Sequence, residues 1–240
     1  MNKNILVFYS NTNTKGRNDA SGAFIPEAKA FATHHQVPDE NFVGMKLIGN
    51  TLSLRRQLVL ERIVLHKGKL DAIAFFGHGW PSGIQFGFNK SHIEGLVSIM
   101  RPSCYSHVKV LLYACWTAEN ETKDKDHNNV GVGTDNGFAD MLRDEMARKG
   151  MIYGWVDGHK TAGHTSWNPY AVRFHCRNVK DYAKGAVGGC WLVQPGSTIW
   201  KEWVAKLRNA KTGLRYDYPF MEDMEIQAML SGIQITKFTF

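Results

Sequence analysis

Residues 71–79 read DAIAFFGHG, and residues 108–117 read VKVLLYACWT. Each stretch is an apolar run of strand length that ends at a reactive side chain, His78 in the first and Cys115 in the second. Neighbouring parallel strands bring their carboxyl ends to one edge of a sheet, which is where α/β proteins bind ligands. The two stretches therefore predict an α/β fold in which an imidazole and a thiol meet at a sheet edge, as a cysteine nucleophile and its base require.

Strand-like and helix-like segments alternate on both sides of these two runs. The strands are predicted over residues 5–10, 41–49, 71–76, 84–88, 108–114 and 151–156, and the helices over 25–35, 52–66, 93–100 and 138–149. Pro102 is expected to prevent the third helix from continuing. The alternation predicts a three-layer α/β/α sandwich around a mostly parallel sheet of about six strands.

The periodicity weakens after Gly158. The later part of the chain predicts a sixth strand over residues 186–193, helices over 200–207 and 222–230, and an extended segment over 233–240. No stretch has the composition of an interdomain linker. We therefore expect one domain over residues 1–240, with its core over about 3–160 and a C-terminal extension over 161–240 that has no assigned role.

Length and hydropathy place limits on the class of protein. The chain has 240 residues, of which 43% are hydrophobic, and this is enough for one substantial core. No apolar run is long enough to cross a bilayer. The N-terminus leads directly into a strand-like run and lacks the apolar core and cleavage site of a signal peptide. We expect a soluble, cytoplasmic protein with no membrane partner.

Charge and cysteine content argue against two further kinds of site. The net charge is +7, but the basic residues are spread along the chain and no nucleic-acid motif accompanies them, so nucleic acid is not an expected partner. None of the four cysteines belongs to a CxxC pair, so no metal site is predicted. Cys104, Cys176 and Cys190 are expected to be buried, unreactive thiols.

His78 and Cys115 indicate a catalytic function more strongly together than either does alone. Alone, each has an ordinary structural interpretation, as a turn histidine or a buried thiol. Together they predict that His78 deprotonates Cys115, whose sulfur attacks a carbonyl carbon. Gly77 and Gly79 allow a tight turn with space for a substrate, and the N–H groups of Gly79 and Cys115 are candidates to receive the developing oxyanion.

The order of these motifs resembles the caspase-like (clan CD) cysteine peptidases, which include caspases, gingipains, clostripain-type peptidases, separases and the bacterial CHAT peptidases. Residues 111–118, LLYACWTA, look closest to the CHAT-type pattern of apolar strand, small residue, Cys, any residue and Thr. Residues 137–142, GFADML, are similar to the segment that follows the cysteine in this group. The resemblance covers about residues 3–160. It implies a protein or peptide substrate, with His78 as the base and Cys115 as the nucleophile.

The specificity of such a peptidase is left open by two departures from the family pattern. Tyr113 stands where some clostripain-like peptidases carry an acidic residue that selects a basic P1 side chain, and the caspase signature Gln-Ala-Cys-x-Gly is absent. Tyr113 is a candidate pocket residue by its position. Asp157, at the end of the predicted fifth strand, is a candidate to bind a basic side chain, although a loop aspartate that caps its own backbone is equally expected.

Other residues near the predicted site have alternative interpretations. Trp155 is a candidate wall of the substrate pocket, as are Trp167 and Tyr170, although aromatic residues in such positions are more commonly part of the core. His159 and His164 follow the fifth strand and are alternatives to His78 as the base. Neither has the strand and Gly-His-Gly setting of His78.

The stretch Glu119–Asn136 is polar and directly follows the candidate nucleophile. Loops at this place are often cleaved during activation in caspase-like enzymes, so the resemblance suggests cleavage after Lys123 or Lys125; an unregulated surface loop is the alternative. No metal or organic cofactor is expected for the chemistry, and whether a structural divalent ion binds this acidic stretch is left open.

Two other functions fit parts of the chain. Residues 7–16, VFYSNTNTKG, are similar to the phosphate loop of flavodoxins, in which hydroxyl groups and backbone N–H groups hold the phosphate of FMN. The polar continuation of this stretch delays the helix that should follow it. The third possibility is a caspase-like fold that binds a partner without catalysis.

Overall fold

The structure is a computed structural model that describes residues 3–11, 24–46, 50–121, 135–161, 170–178, 189–198 and 200–201. Within these ranges the α-helices and strands are, in chain order, β1 (Ile5–Ser10), α1 (Phe24–His34), β2 (Phe42–Met45), α2 (Leu52–Val64), β3 (Leu70–Phe76), β4 (Gly79–Trp80), β5 (Gly83–Ile84), β6 (Phe88–Asn89), α3 (Ile93–Ser103), β7 (Cys104–Tyr113), α4 (Phe138–Arg148), β8 (Trp155–His159), β9 (Ala171–His175) and β10 (Gly189–Trp191).

Seven of these strands form the central sheet, in the order β10-β9-β8-β7-β3-β1-β2. The strands β2, β1, β3, β7 and β8 are parallel, and β9 and β10 are each antiparallel to their neighbours. The short strands β4, β5 and β6 form a separate antiparallel sheet. The predicted α/β architecture with a mostly parallel sheet is confirmed, with one strand more than expected.

Helices cover both faces of this sheet, which is why its central strands are apolar on both sides. Alternate strand residues point to opposite faces. Phe76 and Tyr113 belong to the buried cluster that contains Phe31 of α1. Phe75 and Leu112 belong to the cluster on the other face, which also contains residues of α2, α3 and α4. Burial of each large apolar side chain stabilises the fold by about 1.5–3 kcal/mol.

The fifth parallel strand begins later than predicted. Residues 151–154 form a turn, in which the Gly154 N–H donates to the Met151 carbonyl at 3.2 Å. A Cβ on Gly154 would lie 2.3 Å from the Val108 carbonyl oxygen, so the chain approaches β7 closely before β8 starts. As a consequence Asp157 lies in the middle of β8 and does not end the strand, which corrects the prediction.

Three other element predictions differ from the structure. The predicted strand over 84–88 is interrupted by a turn because Gly87 has φ of +91°, and β5 and β6 flank this turn. The helix α3 continues to Ser103 and includes Pro102 in its last turn, where few further hydrogen bonds are at stake. The strand β9 was not predicted.

Some predicted elements lie outside the described residues. These are the helix over 222–230, the extended segment over 233–240 and all but the start of the helix over 200–207. Among the residues that are described, no helix combines the length and the apolar character needed to cross a membrane.

Candidate active site

The strands that precede His78 and Cys115 are adjacent, parallel and in register at their ends. Phe76, the last residue of β3, is the register partner of Tyr113, the last residue of β7. The Gly77 N–H donates to the Tyr113 carbonyl at 3.2 Å and extends the pairing by one residue. His78 and Cys115 each follow two residues after the paired ends. The structure therefore brings both to the same level of one sheet edge.

The loops that carry these two residues are in direct contact. A Cβ on Gly79 would lie 2.7 Å from the Ala114 Cβ and 2.8 Å from the Cys115 carbonyl oxygen, so only glycine allows this approach. Gly79 is the first residue of β4 and pairs with Ile84 of β5. The backbones of Gly79 and Cys115 are thus neighbours.

One helix end holds both loops in place. The first two N–H groups of α4 have no partner inside the helix. The Phe138 N–H donates to the Pro81 carbonyl, in the hairpin after His78, and the Ala139 N–H donates to the Thr117 carbonyl, after Cys115, both at 2.9 Å. The N-terminus of α4 therefore fixes the His78 hairpin relative to the Cys115 loop.

The backbone after Cys115 is strained and well anchored. Trp116 has φ of +62°, a left-handed conformation that costs a non-glycine residue about 1–3 kcal/mol and is common at functional sites. Its N–H donates to the Thr161 carbonyl at 3.3 Å, and the Ala118 N–H donates to the His159 carbonyl at 3.0 Å. The Thr117 hydroxyl donates to the Ala114 carbonyl at 3.0 Å. These bonds hold Cys115 in a tight turn.

The imidazole of His78 lies on the α1 face of the sheet. Its ring meets the ring of Phe24 edge to face, with centroids 5.2 Å apart and an interplanar angle of 90°. Phe24 is the first residue of α1 and is buried. His78 is itself partly exposed.

The four thiols have different environments. Burial raises the pKa of Cys104 and of Cys176 to about 12, as expected for unreactive core thiols. Cys115 is partly exposed at the sheet edge. Cys190 is exposed on β10 and not buried as predicted, because β10 is the edge strand.

Asp157 is engaged inside the protein. Arg173 donates from Nε to Asp157 Oδ1 at 2.8 Å and from Nη2 to Oδ2 at 2.9 Å, and both residues are buried. The two residues are register partners in β8 and β9. Because both carboxylate oxygens already bind an internal guanidinium, Asp157 is not an open acceptor for a basic substrate side chain.

Trp155 lies away from Cys115. Its register partner is Lys109, four residues before the end of β7 at Tyr113 and thus about 13 Å from that end along the strand direction. The Trp155 ring has Lys109 Nζ 4.4 Å and Arg173 Cζ 4.2 Å from its centroid. It contributes to a buried cation–π group. The structure does not bring Trp155 together with the candidate dyad.

Tyr113 and His159 lie closer to the dyad. Tyr113 is buried beneath the sheet edge, where its ring stacks on Phe76 and lies 5.6 Å from the ring of His159. It supports the strand ends and is not an exposed pocket wall. His159 ends β8, one strand beyond Cys115, and is also buried. Tyr170 contacts Trp191 of β10, on the β9 side of the sheet.

Several predicted residues lie outside the described part of the chain, namely His164, Trp167, Lys123 and Lys125. Two residues that contact His78, Phe24 and Gln85, were not predicted. Phe24 has no sequence signal because it acts through a tertiary contact. Gln85 has a weak sequence signal, because it is a polar residue between the apolar residues Ile84 and Phe86. The structure shows that it is buried.

Over the described ranges no group of three His, Cys, Asp or Glu side chains is arranged to hold a metal ion. The residues that the structure does bring together are His78, Gly79 and Cys115, with Phe24 and Gln85 around the histidine. The chain matches no protein-family model, and comparisons with curated proteins and with solved structures also give no match.

Proposed function

We propose that this protein is a caspase-like cysteine endopeptidase, in which Cys115 is the nucleophile and His78 is the base. The observation that carries the proposal is the register of β3 and β7, which places Phe76 opposite Tyr113 and so brings the two reactive residues to one sheet edge. The close approach of Gly79 to the Cys115 backbone supports it, because these are the two residues whose N–H groups would receive the oxyanion.

The chemistry follows from these three residues. His78 takes the thiol proton as the Cys115 sulfur attacks the carbonyl carbon of the scissile peptide bond. The N–H groups of Gly79 and Cys115 receive the oxyanion. When the C–N bond breaks, the imidazolium gives its proton to the leaving amine and a thioester remains. His78 then takes a proton from water, the hydroxide displaces the thiolate, and the products are a carboxylic acid and free Cys115.

The proposal is tested by cleavage of a peptide library with the wild type and with the variants Cys115→Ala and His78→Ala. Cys190→Ala is the matched control, because it removes the exposed thiol of an edge strand. We expect loss of cleavage in the first two variants and wild-type cleavage in the control. Full cleavage by Cys115→Ala would exclude the mechanism. Uncleaved but tightly bound peptide with the wild type would favour the non-catalytic alternative.

The sheet also allows the flavin alternative. The five parallel strands run β2-β1-β3-β7-β8, and the same 2-1-3-4-5 order occurs in flavodoxin-type folds, which bind FMN at the switch between the first and third strands. Residues 12–16 of the candidate phosphate loop lie outside the described ranges. Titration with FMN decides this alternative, since protein that retains no yellow chromophore after gel filtration does not bind flavin.

A further inference from the structure

The hairpin that follows His78 folds back and places one residue, Gln85, on the backbone of His78. Gln85 is 4% exposed and lies in the turn between β5 and β6. Its side-chain Oε1 accepts a hydrogen bond from the His78 N–H. Its own N–H donates to the His78 carbonyl at 3.0 Å. A single residue therefore binds both backbone polar groups of the candidate base.

Gln85 is itself held from α2. The Arg55 Nη1 donates to the Gln85 carbonyl at 3.1 Å, and the Arg55 Nε donates to the Asn50 carbonyl at 3.1 Å. The flanking residues Ile84 and Phe86 are buried in the main core cluster. The Gln85 side chain that contacts His78 is therefore held in place by α2 and by the hydrophobic core.

Gly77 makes room for this contact. A Cβ on Gly77 would lie 2.6 Å from the Gln85 Oε1 and 2.8 Å from Phe86 Cε2. The same glycine donates its N–H to the Tyr113 carbonyl. Gly77 therefore contacts the Gln85 side chain on one side and β7, the strand that precedes Cys115, on the other.

The two hydrogen bonds between Gln85 and the His78 backbone restrict the position of the His78 imidazole. With the N–H and the carbonyl of His78 both fixed, the direction of its Cα–Cβ bond is fixed, and only the two side-chain torsions are free. The edge-to-face contact with Phe24 limits those torsions. A catalytic imidazole must be held within a narrow range of its productive geometry. We propose that Gln85 is the positioning residue that orients His78 toward Cys115, an inference that rests on the proposed function.

The kinetic test compares two substitutions of Gln85. Gln85→Met keeps the length of the side chain and removes the acceptor, and we expect kcat to fall about 10–100-fold with KM nearly unchanged. Gln85→Glu keeps an acceptor for the His78 N–H and should restore most of kcat.

The matched control is Asn89→Ala in the same hairpin. The Asn89 side chain accepts hydrogen bonds from the N–H and the hydroxyl of Ser91, at 3.1 and 2.7 Å. Its loss should reduce stability without changing kcat. Equal losses of kcat in Asn89→Ala and Gln85→Met would show that the hairpin acts only as a structural unit and would overturn the inference.

A second readout does not depend on activity. In NMR spectra of the whole chain, the His78 amide should exchange with solvent at least about tenfold faster in Gln85→Met than in the wild type. If Gln85→Met does not fold, the wild type and Gln85→Glu decide the matter, because both keep an acceptor and should protect the His78 amide from exchange. Unchanged exchange in Gln85→Met, or rapid exchange of the His78 amide in the wild type, would refute the role of Gln85. An inactive wild type with a protected His78 amide would instead refute only the proposed function.

Discussion

Phe76 and Tyr113 are register partners at the ends of two adjacent parallel strands, and their rings stack with centroids 4.6 Å apart and an interplanar angle of 8°. Both rings lie in the core beneath α1. The stacked rings are the last core residues of β3 and β7, and a reactive side chain follows two residues after each of them. The pair therefore packs beneath the site and fixes where His78 and Cys115 lie along the two strands.

The close approach of Gly79 to the cysteine loop predicts a specific loss of activity. In Gly79→Ala the new Cβ would overlap the Ala114 Cβ and the Cys115 carbonyl, both within 2.8 Å, so the two loops must separate. We expect peptide cleavage to fall at least about 100-fold. The measurement is kcat/KM on a peptide found in the library experiment.

Gly95→Ala is the control for this substitution. Apart from its chain neighbours and the backbone of its own helix, no heavy atom lies within 4 Å of a Cβ built on Gly95, which is an exposed position of α3. Alanine in a helix interior should stabilise the protein by about 0.5–1 kcal/mol and leave cleavage unchanged. Similar activity of Gly79→Ala and Gly95→Ala would contradict the oxyanion placement.

The ion pair of Asp157 and Arg173 predicts a strong effect on stability. Arg173→Met leaves a buried carboxylate without its guanidinium, and we expect the free energy of unfolding to fall by about 3–5 kcal/mol. The double variant Asp157→Leu/Arg173→Met should lose clearly less, because no charge is then left unpaired. Urea unfolding of the two single variants and the double variant measures the coupling. Additive losses would show that the two side chains do not act as a pair.

The buried carboxyl of Asp140 predicts a pH dependence of stability. Burial and the neighbouring Asp144 raise the pKa of Asp140 to about 7, although Arg143 opposes the shift. In the unfolded chain the same group has a pKa of about 3.9. The native state therefore binds a proton that the unfolded state releases, and the free energy of unfolding should fall as the pH rises from about 4 to about 7.

Asp140→Asn should remove this part of the slope, whereas Glu94→Gln, at an exposed carboxylate of α3, should leave it unchanged. Urea unfolding at several pH values is the measurement. An equal slope in the wild type and in Asp140→Asn would mean that Asp140 is ionised throughout the range.

The environments of the thiols predict which of them react with iodoacetamide. At neutral pH the native protein should be alkylated at Cys115, which is partly exposed, and at Cys190, which is exposed. Cys104 and Cys176 should react only after unfolding, because burial holds the pKa of each near 12. Peptide mass spectrometry assigns the sites. Rapid labelling of native Cys104 or Cys176 would contradict the buried core.

The sequence was sufficient for the features that depend on local patterns. The bounds of β1 and most of α1, α2, β3 and α4 follow from apolar periodicity and from the glycines that end two of the helices, at positions 68 and 150, with φ of +81° and +87°. The apolar runs before His78 and Cys115 also predicted two buried strands with reactive ends. These features depend on short segments, because the spacing of apolar residues and the glycines or prolines that end an element lie within the segment itself.

Only the tertiary structure decided which residues meet. Asp157 and Trp155 looked like pocket residues in the chain. The later start of β8 and the unpredicted strand β9 instead give Asp157 the guanidinium of Arg173 and pair Trp155 with Lys109, four residues before the end of β7. Gln85 looked like a polar residue in a short strand, but the turn at Gly87 brings it to His78. Pairing between strands and contacts between loops join residues that are distant in sequence, so their register depends on packing of the whole core and not on the pattern of any one segment.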